Sequence, residues 1–404
     1  MTPGADTVTE QVRTGDAPVI RDGILKCVPI GGYRFETGGW LPEVMMGYET
    51  WGTLNAEASN AVLLLHALTG DTHVSRGHSR EDGWWDGFVG PGRTIDTDRF
   101  FVVAPNMVGG CYGSTGPASA DPDGRPWGSR FPFTTVRDSV RTEARLADYL
   151  GIQRWHSVVG GSLGGARALE WAIEYPERVA RCAVIAATAV ASAEQVAFGQ
   201  IQTQAIRLDP AFHGGDFYMH DDTHDAGPAA AAARTSGVSR IGQGIGPVRG
   251  LGIARRLAHI TYRSEPELEI RFGHEGQGDE DPFGSADHQR GRYQVESYLD
   301  HQADKLVGRF DANSYIVLTE ALVGHDVGRG RGGVEAALRR AGDVEFFIAA
   351  VDSDRLYVPG QSERLAAALP GRPPVHYINS PIGHDGFLTD IEQLNQVLRA
   401  GLYA

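Results

Sequence analysis

The chain has 404 residues, 41% of them hydrophobic, which predicts one large core with a sizeable insertion, or else two domains. Its formal net charge of −14 argues against a nucleic-acid or anionic-membrane binder, because both of these ligands favour a basic surface. Lys26 and Lys305 are the only lysines, so Schiff-base and pyridoxal-phosphate chemistry have almost no candidate residue.

Residues 1–20 are polar, rich in Gly, Pro and acidic side chains and without an apolar period, and we predict that they form a disordered tail. They lack the apolar segment of a secretory signal, and no apolar run in the chain is long enough to span a bilayer. The three cysteines, at positions 27, 111 and 182, fit neither a disulfide framework nor a paired metal site. We therefore expect a cytoplasmic protein that does not associate with membranes.

Residues 21–192 predict the first part of an α/β core. Short β-rich segments run up to Trp51, and compact apolar runs at 61–66 and 100–104 are typical of strands buried on both faces of a parallel sheet. The pattern continues with a helix at 138–150, a strand at 155–159, a helix at 165–175 and a strand at 182–187. This alternation favours a mostly parallel sheet with helices on both faces.

Residues 193–341 differ from the flanking segments, because they are rich in charge, Gly and helical spacing and contain few apolar strand runs. We interpret them as a helical lid inserted into the core. The α/β pattern resumes over 342–404, with strands at 344–351 and 375–379, a helix at 362–369 and a closing helix at 391–402. The sequence thus predicts one sheet, interrupted by a helical excursion.

The pentapeptide Gly-Gly-Ser-Leu-Gly at 160–164 fits the G-x-S-x-G elbow of the α/β-hydrolase fold. By itself the motif is weak in a chain with 53 glycines, but here it follows an apolar strand directly and opens a helix, as the motif requires. Ser162 is therefore the predicted nucleophile, and a covalent acyl-serine intermediate is the expected chemistry.

A serine hydroxyl needs a histidine to take its proton and a carboxylate to orient that histidine. On this fold the acid follows a late strand and the histidine follows the last strand. Asp352 and Asp354 both come just after the strand at 344–351, so the residues alone leave two candidate acids. His384 follows the last strand and is the predicted base, whereas His325 precedes the acid and is expected to be structural.

The oxyanion of the tetrahedral intermediate needs two hydrogen-bond donors. The backbone N–H of Leu163, the residue after the nucleophile, is the first candidate. Leu68 is the second, because the segment 66–70 follows an early buried strand, where this fold places its other donor loop. The histidines do not fall at ligand spacings with cysteine or carboxylate partners, so we predict no metal site.

Several long blocks occur in one order along the chain: HALTGD at 66–71, GWWDG at 83–87, GGSLGG at 160–165, GRFD at 308–311, SDRLY at 353–357 and GHDG at 383–386. Together they resemble the blocks of homoserine O-acetyltransferases, and the match runs from about residue 20 to 402. The resemblance implies an α/β-hydrolase-fold acyltransferase that moves an acetyl group from acetyl-CoA to L-homoserine, on the route to methionine. It implies no bound cofactor, and it implies a homodimer formed through the lid.

The resemblance also implies particular site residues. It selects Asp354 as the acid beside Ser162 and His384. Arg255 would pair with the carboxylate of homoserine and Asp385 would take its ammonium group, while Tyr262 and Thr69 would line the same pocket. Residues about 219–246 look inserted relative to the family, close in sequence to Arg255.

Other functions remain open at this point. An O-succinyltransferase of the same fold, an enzyme with serine as acceptor, a carboxylesterase and a non-catalytic binding protein on this scaffold all fit parts of the pattern. The segment 328–333 (GRGRGG) most simply predicts a tight lid turn, although Arg329 and Arg331 could also bind the phosphates of CoA. The acidic chain argues against an RNA-binding role for this segment.

Overall fold

A computed structural model of the chain describes residues 22–220, 244–284 and 290–401, and its largest feature is an eight-stranded sheet. The eight strands are β1 (Lys26–Pro29), β4 (Met45–Trp51), β5 (Ala61–Leu65), β8 (Phe101–Pro105), β9 (Ser157–Gly161), β10 (Arg181–Ile185), β11 (Glu345–Val351) and β12 (Val375–Ile378). Their order across the sheet is β1-β4-β8-β5-β9-β10-β11-β12.

Strand direction makes this a mostly parallel sheet, as predicted. The strand β4 pairs antiparallel with both β1 and β8, whereas all pairings from β8 to β12 are parallel. Two small ladders lie outside it: β2 (Tyr33–Arg34) pairs with β3 (Trp40–Leu41), and β6 (Val89–Gly90) pairs with β7 (Ile95–Asp96). The central strands are buried along their whole length, which is typical of parallel sheets covered on both faces.

Helices cover both faces of the sheet. Alternate residues of β5 show this directly, because Leu63 and Leu65 join one apolar cluster while Val62 and Leu64 join another on the opposite face. The helices of the core are α1 (Val136–Tyr149), α2 (Leu163–Glu174), α9 (Pro359–Ala368), α10 (Gly386–Thr389) and α11 (Ile391–Gly401). The predicted core elements are therefore all present, with bounds that differ by a few residues.

Between β10 and β11 the described chain is helical. This region contains α3 (Ala193–Arg207), α4 (Val248–Tyr262), α5 (Glu265–Phe272), α6 (Gln294–Val307), α7 (Ala312–Val323) and α8 (Val334–Arg339). A third apolar cluster joins it to the core, because Leu251 and Tyr315 pack there with Leu68 and Leu163. The predicted tail at 1–20 and most of the apparent insertion at 219–246 lie outside the described residues.

Local sequence explains where several of these helices begin. The side chain of Thr135 accepts a hydrogen bond from the backbone of Asp138, whose carboxylate accepts one from Thr135 in return. Ser192 and Gln195 form the same reciprocal cap at the start of α3. Among the described residues, no helix is both long and apolar enough to cross a membrane.

Candidate active site

Ser162 lies at a sharp turn between the end of β9 and the start of α2. Its backbone is in the left-handed region, with φ 57° and ψ −123°, a strained conformation for a residue with a side chain. The turn requires glycine at position 164, because a Cβ atom there would lie 2.0 Å from the carbonyl oxygen of Leu65. The Ser162 hydroxyl does not cap the helix that follows it. The turn thus presents this hydroxyl at the carboxyl edge of the sheet.

His384 and Asp354 meet in the loops that follow β12 and β11. The Nδ1 atom of His384 lies 2.6 Å from Oδ2 of Asp354. The other oxygen of this carboxylate accepts hydrogen bonds of 2.8 Å from the backbone N–H groups of Leu356 and Tyr357, which hold it in place. Burial acts to lower the pKa of His384, but the charge and hydrogen bond of Asp354, together with the charge of Asp385, raise it above its ordinary value.

Asp352, the other candidate acid, has a different partner. Its Oδ1 atom accepts a hydrogen bond of 3.0 Å from the backbone N–H of Ser380, so it joins the loop after β11 to the loop after β12. The structure therefore brings Asp354 to the imidazole and leaves Asp352 in a loop contact.

Aromatic rings surround the His384 imidazole. Tyr357 stacks on it with ring centroids 5.1 Å apart, Phe387 meets it edge-on at 5.3 Å, and Tyr262 lies 5.9 Å away. Burial raises the pKa of Tyr357, and a hydrogen bond from the Ser162 side chain acts against that rise, so the two hydroxyls are neighbours. The Nε2 atom of His384 is buried and has no hydrogen-bond partner within the described residues. This free nitrogen is the atom that a general base uses.

The two candidate oxyanion donors come from the start of α2 and from the loop after β5. Leu163 is the first residue of α2, so its N–H has no acceptor within the helix. Leu68 follows β5, and it borders the same narrow cavity of about 40 Å³ as Ser162 and Tyr357. Neither backbone N–H donates a hydrogen bond to any atom of the described residues. Both are thus available to a ligand.

The four predicted acceptor-binding residues also come together. Arg255 donates from Nη1 to the Thr69 hydroxyl at 3.3 Å, and its guanidinium lies 5.7 Å from the centre of the Tyr262 ring. Its Nε atom is buried without an acceptor in the described parts of the chain. Asp385 is close to this group, because its backbone N–H donates to the carbonyl of Tyr262 at 3.1 Å.

The lid holds the loop that carries His384. The N–H of Ser264, at the start of α5, donates to the carbonyl of Ile382 at 2.9 Å, and its hydroxyl donates to the carbonyl of Pro381. Gly383 has a φ of 96° and would place a Cβ atom 2.5 Å from the Ser264 nitrogen, so only glycine fits this close approach. A movement of this part of the lid would therefore move the imidazole.

Comparisons with known proteins show the family and the fold of this chain. A family model described as the alpha/beta hydrolase fold matches residues 60–226. A homoserine O-acetyltransferase of Thermobifida fusca is 51% identical over 391 residues, covering 96% of this chain and 95% of the relative. This chain belongs to the homoserine O-acetyltransferase family. The resemblance noted in the sequence is thereby confirmed, as is the predicted α/β-hydrolase fold.

Solved structures give the same fold. The homoserine O-acetyltransferase of Bacillus anthracis superposes with a TM-score of 0.81 at 27% identity, covering 94% of this chain and 98% of that one. The esterase E22 superposes with a TM-score of 0.80 at 24% identity, covering 94% and 99%, and this similarity concerns the fold alone. The family's scaffold is thus shared by transferases and esterases.

Sequence reasoning missed Arg263 as a neighbour of the site. Its Nε atom lies 3.5 Å from Oδ2 of Asp385, the residue that the family resemblance assigns to the ammonium group of homoserine. Burial raises the pKa of Asp385, while Arg263, His384 and Arg255 act to lower it. Arg263 is the extended residue directly after α4, so its approach to Asp385 follows from the docking of this junction and not from a helical spacing.

The GRGRGG segment lies away from Ser162 and has a structural explanation. Arg331 is only 3% exposed and pairs with Glu170 and Glu174 of α2, the helix that begins after the nucleophile. Arg329 pairs with Glu36 at 2.8 Å. These arginines fasten the turn to the core of this family member, and Arg331 is not open to a phosphate.

His325 contacts the segment after β10. It follows α7 and its Nε2 atom lies 3.1 Å from the carbonyl oxygen of Thr188, as expected for a structural histidine. Across the described ranges, no three His, Cys, Asp or Glu side chains come close enough to form a metal site.

Proposed function

We propose that this chain acetylates L-homoserine by a ping-pong reaction, with acetyl-CoA as donor co-substrate and an acetyl ester on Ser162 as the intermediate. The observation that carries the proposal is the short Asp354–His384 hydrogen bond, with the buried Nε2 atom of the imidazole left without a partner among the described residues. Tyr357 stacks on this imidazole, and its hydroxyl is a neighbour of the Ser162 hydroxyl. Membership of the homoserine O-acetyltransferase family supplies the acyl group and the acceptor.

In the first half-reaction, the Ser162 hydroxyl attacks the thioester carbonyl of acetyl-CoA. His384 takes the hydroxyl proton on Nε2, and Asp354 stabilises the imidazolium through Nδ1. The N–H groups of Leu68 and Leu163 donate to the oxyanion of the tetrahedral intermediate. The C–S bond then breaks, and the CoA sulfur leaves with the proton from His384, which returns the base to its neutral form.

In the second half-reaction, the hydroxyl of homoserine attacks the acetyl-serine carbonyl. His384 takes the proton of this hydroxyl and then returns it to the Ser162 oxygen as the ester bond breaks. The product is O-acetyl-L-homoserine, which serves methionine biosynthesis. Each half-reaction uses the imidazole once as base and once as acid, so the enzyme ends in its starting state.

Orientation of the acceptor falls to the lid. Arg255 has a buried Nε atom without an acceptor, and a guanidinium can hold a carboxylate through two parallel hydrogen bonds. Thr69 and Tyr262 already contact this guanidinium and hold it in position. Asp385 would receive the ammonium group, next to the loop of His384. With its carboxylate and its ammonium group both held, homoserine would direct its hydroxyl at the acyl-serine.

Transfer rather than hydrolysis requires that water stay away from the acyl-enzyme. Much of the lining of the cavity beside Ser162 is apolar, including Leu68, Phe198 and Leu322. An apolar lining offers few hydrogen bonds to a water molecule near the acyl-serine, which supports transfer to a bound acceptor over a carboxylesterase reaction.

A homodimer through the lid and a cytoplasmic location complete the proposal. Ile253 and Ile260 are exposed on one face of α4, and Val196 and Ile201 are exposed on the adjoining α3, which suits contact with a second copy. Analytical ultracentrifugation tests this: Ile253→Asp should shift the protein toward monomer.

The free thiols of Cys27, Cys111 and Cys182 suit a reducing compartment. No nucleic acid and no resident cofactor enters this scheme.

The decisive experiment supplies purified protein with acetyl-CoA or succinyl-CoA and with homoserine or serine. Mass spectrometry should find O-acetylhomoserine as the main product, and without an acceptor it should find an acetyl group on the peptide that contains Ser162. Ser162→Ala should abolish both signals. A main product of O-succinylhomoserine or O-acetylserine, or free acetate at the same rate with and without acceptor, would reassign the function.

A further inference from the structure

The side chain of His66 lies directly behind the Leu68 peptide and has a defined hydrogen-bond pattern. It follows β5 and is only 1% exposed. Its Nε2 atom accepts a hydrogen bond of 3.0 Å from the backbone N–H of Met107. Its Nδ1 atom lies 2.7 Å from the carbonyl oxygen of Ala67. The imidazole thus connects the loop after β8 with the loop that carries the candidate oxyanion donor.

These two contacts determine the tautomer of the ring. A backbone N–H can only donate, so Nε2 must be the unprotonated nitrogen. The proton of the neutral ring is then on Nδ1, where it donates to the Ala67 carbonyl. Burial, together with the charge of Arg167, lowers the pKa of His66 to about 3. The ring therefore remains neutral at physiological pH.

Because the peptide group is planar, a hydrogen bond to the Ala67 carbonyl also fixes the direction of the Leu68 N–H. In a trans peptide the C=O of Ala67 and the N–H of Leu68 point in opposite directions. The Ala67 oxygen accepts from His66 Nδ1 and also from the N–H of Gly70 at 3.0 Å. With the carbonyl held from behind, the Leu68 N–H must point the other way. It has no acceptor there within the described residues, and Leu68 borders the Ser162 cavity.

We infer that His66 is a positioning residue that holds the Ala67–Leu68 peptide in the orientation needed for oxyanion stabilisation. This inference rests on the proposed acyl-serine mechanism and adds a specific cause for its second donor. A rotated peptide would point the Ala67 carbonyl at the oxyanion, and two partial negative charges would then repel each other. His66 itself contacts neither substrate nor the reacting atoms.

A matched pair of substitutions separates this role from general stability. In His66→Asn the side-chain amide nitrogen can take the place of Nδ1 and donate to the Ala67 carbonyl. In His66→Gln the longer amide reaches the place of Nε2 and can accept from Met107 instead. Each variant keeps one hydrogen bond of His66 and loses the other. If His66 contributed only to stability, the two variants would slow Ser162 acylation to the same extent.

The readout is the rate of Ser162 acylation in a single turnover, measured with p-nitrophenyl acetate and with acetyl-CoA. His66→Gln should be slower by about 10² to 10³, the usual effect of losing an oxyanion donor, whereas His66→Asn should be slower by less than about tenfold. The dissociation constant of homoserine, from calorimetry, should change little in either variant. Equal acylation rates in the two variants, or a normal rate in His66→Gln, would overturn the inference.

A second measurement uses the unaltered protein, so it does not depend on how the variants fold. Nitrogen NMR of protein labelled in histidine should show His66 neutral and protonated on Nδ1 between pH 5 and 8. A charged ring or the Nε2-protonated tautomer would equally refute the role. Failure of the acyl-serine mechanism would be separately visible, because Ser162→Ala would then still transfer acetyl groups to homoserine.

Discussion

The guanidinium of Arg167 and the carboxylate of Glu143 form an ion pair of 2.6 Å in which both side chains are completely buried. Arg167 lies on α2, one turn after the nucleophile, and Glu143 lies on α1. The same carboxylate accepts a hydrogen bond of 2.8 Å from the indole of Trp171, and Arg167 Nη1 approaches the carbonyl of His66 at 3.4 Å. A buried charge pair thus joins the nucleophile helix to the loop of the second oxyanion donor.

Loss of one partner of this pair should be costly. Glu143→Gln leaves the Arg167 charge buried without a counter-charge, and we expect the free energy of unfolding to fall by about 3–5 kcal/mol. The double variant Glu143→Leu with Arg167→Met removes both charges and should be less destabilised than Glu143→Gln. Urea denaturation measures both values. If the free energy of unfolding of the double variant were lower than that of Glu143→Gln, the ion pair itself, rather than the balance of buried charge, would stabilise the fold.

Asp354 and Asp352 should respond very differently to the same substitution. In Asp354→Asn the amide oxygen would take the place of Oδ1, which accepts from two backbone N–H groups, so the NH2 group would face His384 Nδ1 and favour the wrong tautomer. The value of kcat should therefore fall by up to about 10⁴, as in other triads. Asp352→Asn weakens only a contact with the Ser380 backbone, which is worth about 1 kcal/mol of stability, and should leave kcat within a few-fold. Steady-state kinetics gives kcat for both variants. A larger fall in kcat for Asp352→Asn than for Asp354→Asn would make Asp352 the catalytic acid.

Arg255 should determine the affinity for homoserine. Arg255→Lys loses the two-pronged hydrogen bonding of a guanidinium, and KM for homoserine should rise by about 10- to 100-fold, which corresponds to a lost charge-assisted hydrogen bond. Acylation by p-nitrophenyl acetate needs no homoserine and should be unchanged. Arg256 is the matched control, since it pairs with Asp300 at 2.8 Å, and Arg256→Lys should keep a normal KM. An equal rise in KM for both variants would argue against specific carboxylate recognition.

The pH dependence of acylation should reflect the raised pKa of His384. Only the neutral imidazole accepts the Ser162 proton, so the rate should fall as the pH drops through this pKa, at a pH above the ordinary value for histidine. The charge of Asp385 contributes to the rise, so Asp385→Asn should move the acid limb of the profile to lower pH. Stopped-flow acylation with p-nitrophenyl acetate gives the profile without a homoserine requirement. Asp390→Asn serves as control, and a limb that Asp385→Asn leaves in place would contradict this account.

Arg331 and Arg329 test whether the GRGRGG turn is structural. Arg331→Met removes one of the two arginines that pair with each of Glu170 and Glu174. Arg137 still pairs with Glu170 and Arg141 with Glu174, so we expect a loss of about 1–3 kcal/mol in the free energy of unfolding, the usual effect of losing hydrogen bonds to a charged group. Arg329→Met removes the ion pair with Glu36, in which the arginine side chain is 44% exposed. The free energy of unfolding should fall by only about 0–1 kcal/mol. Neither change should alter KM for acetyl-CoA. A large rise in that KM for Arg329→Met alone would support phosphate binding at this turn.

Much of the fold could be predicted from local sequence. The short apolar run at 61–66 favoured a strand, and β5 has five consecutive buried residues, as expected for a strand covered on both faces. The elbow at Ser162 could be predicted for the same reason, since a strand, two glycines and a helix leave one conformation for the residue between them. Arg263 could not be singled out, because its approach to Asp385 depends on how the lid docks against the loop after β12.

The sequence by itself determined the alternating α/β core and predicted a nucleophile with a short list of partners, because these depend on periodicity and on residues adjacent in the chain. Residue patterns alone left Asp352 and Asp354 open, and the family resemblance selected Asp354, which the tertiary structure places at His384. Only the tertiary structure buried Arg331 against α2 and assigned the tautomer of His66. These outcomes depend on distances of a few ångströms between residues that are remote in sequence. Such distances arise from the packing of loops and helices against the sheet, which local patterns do not encode.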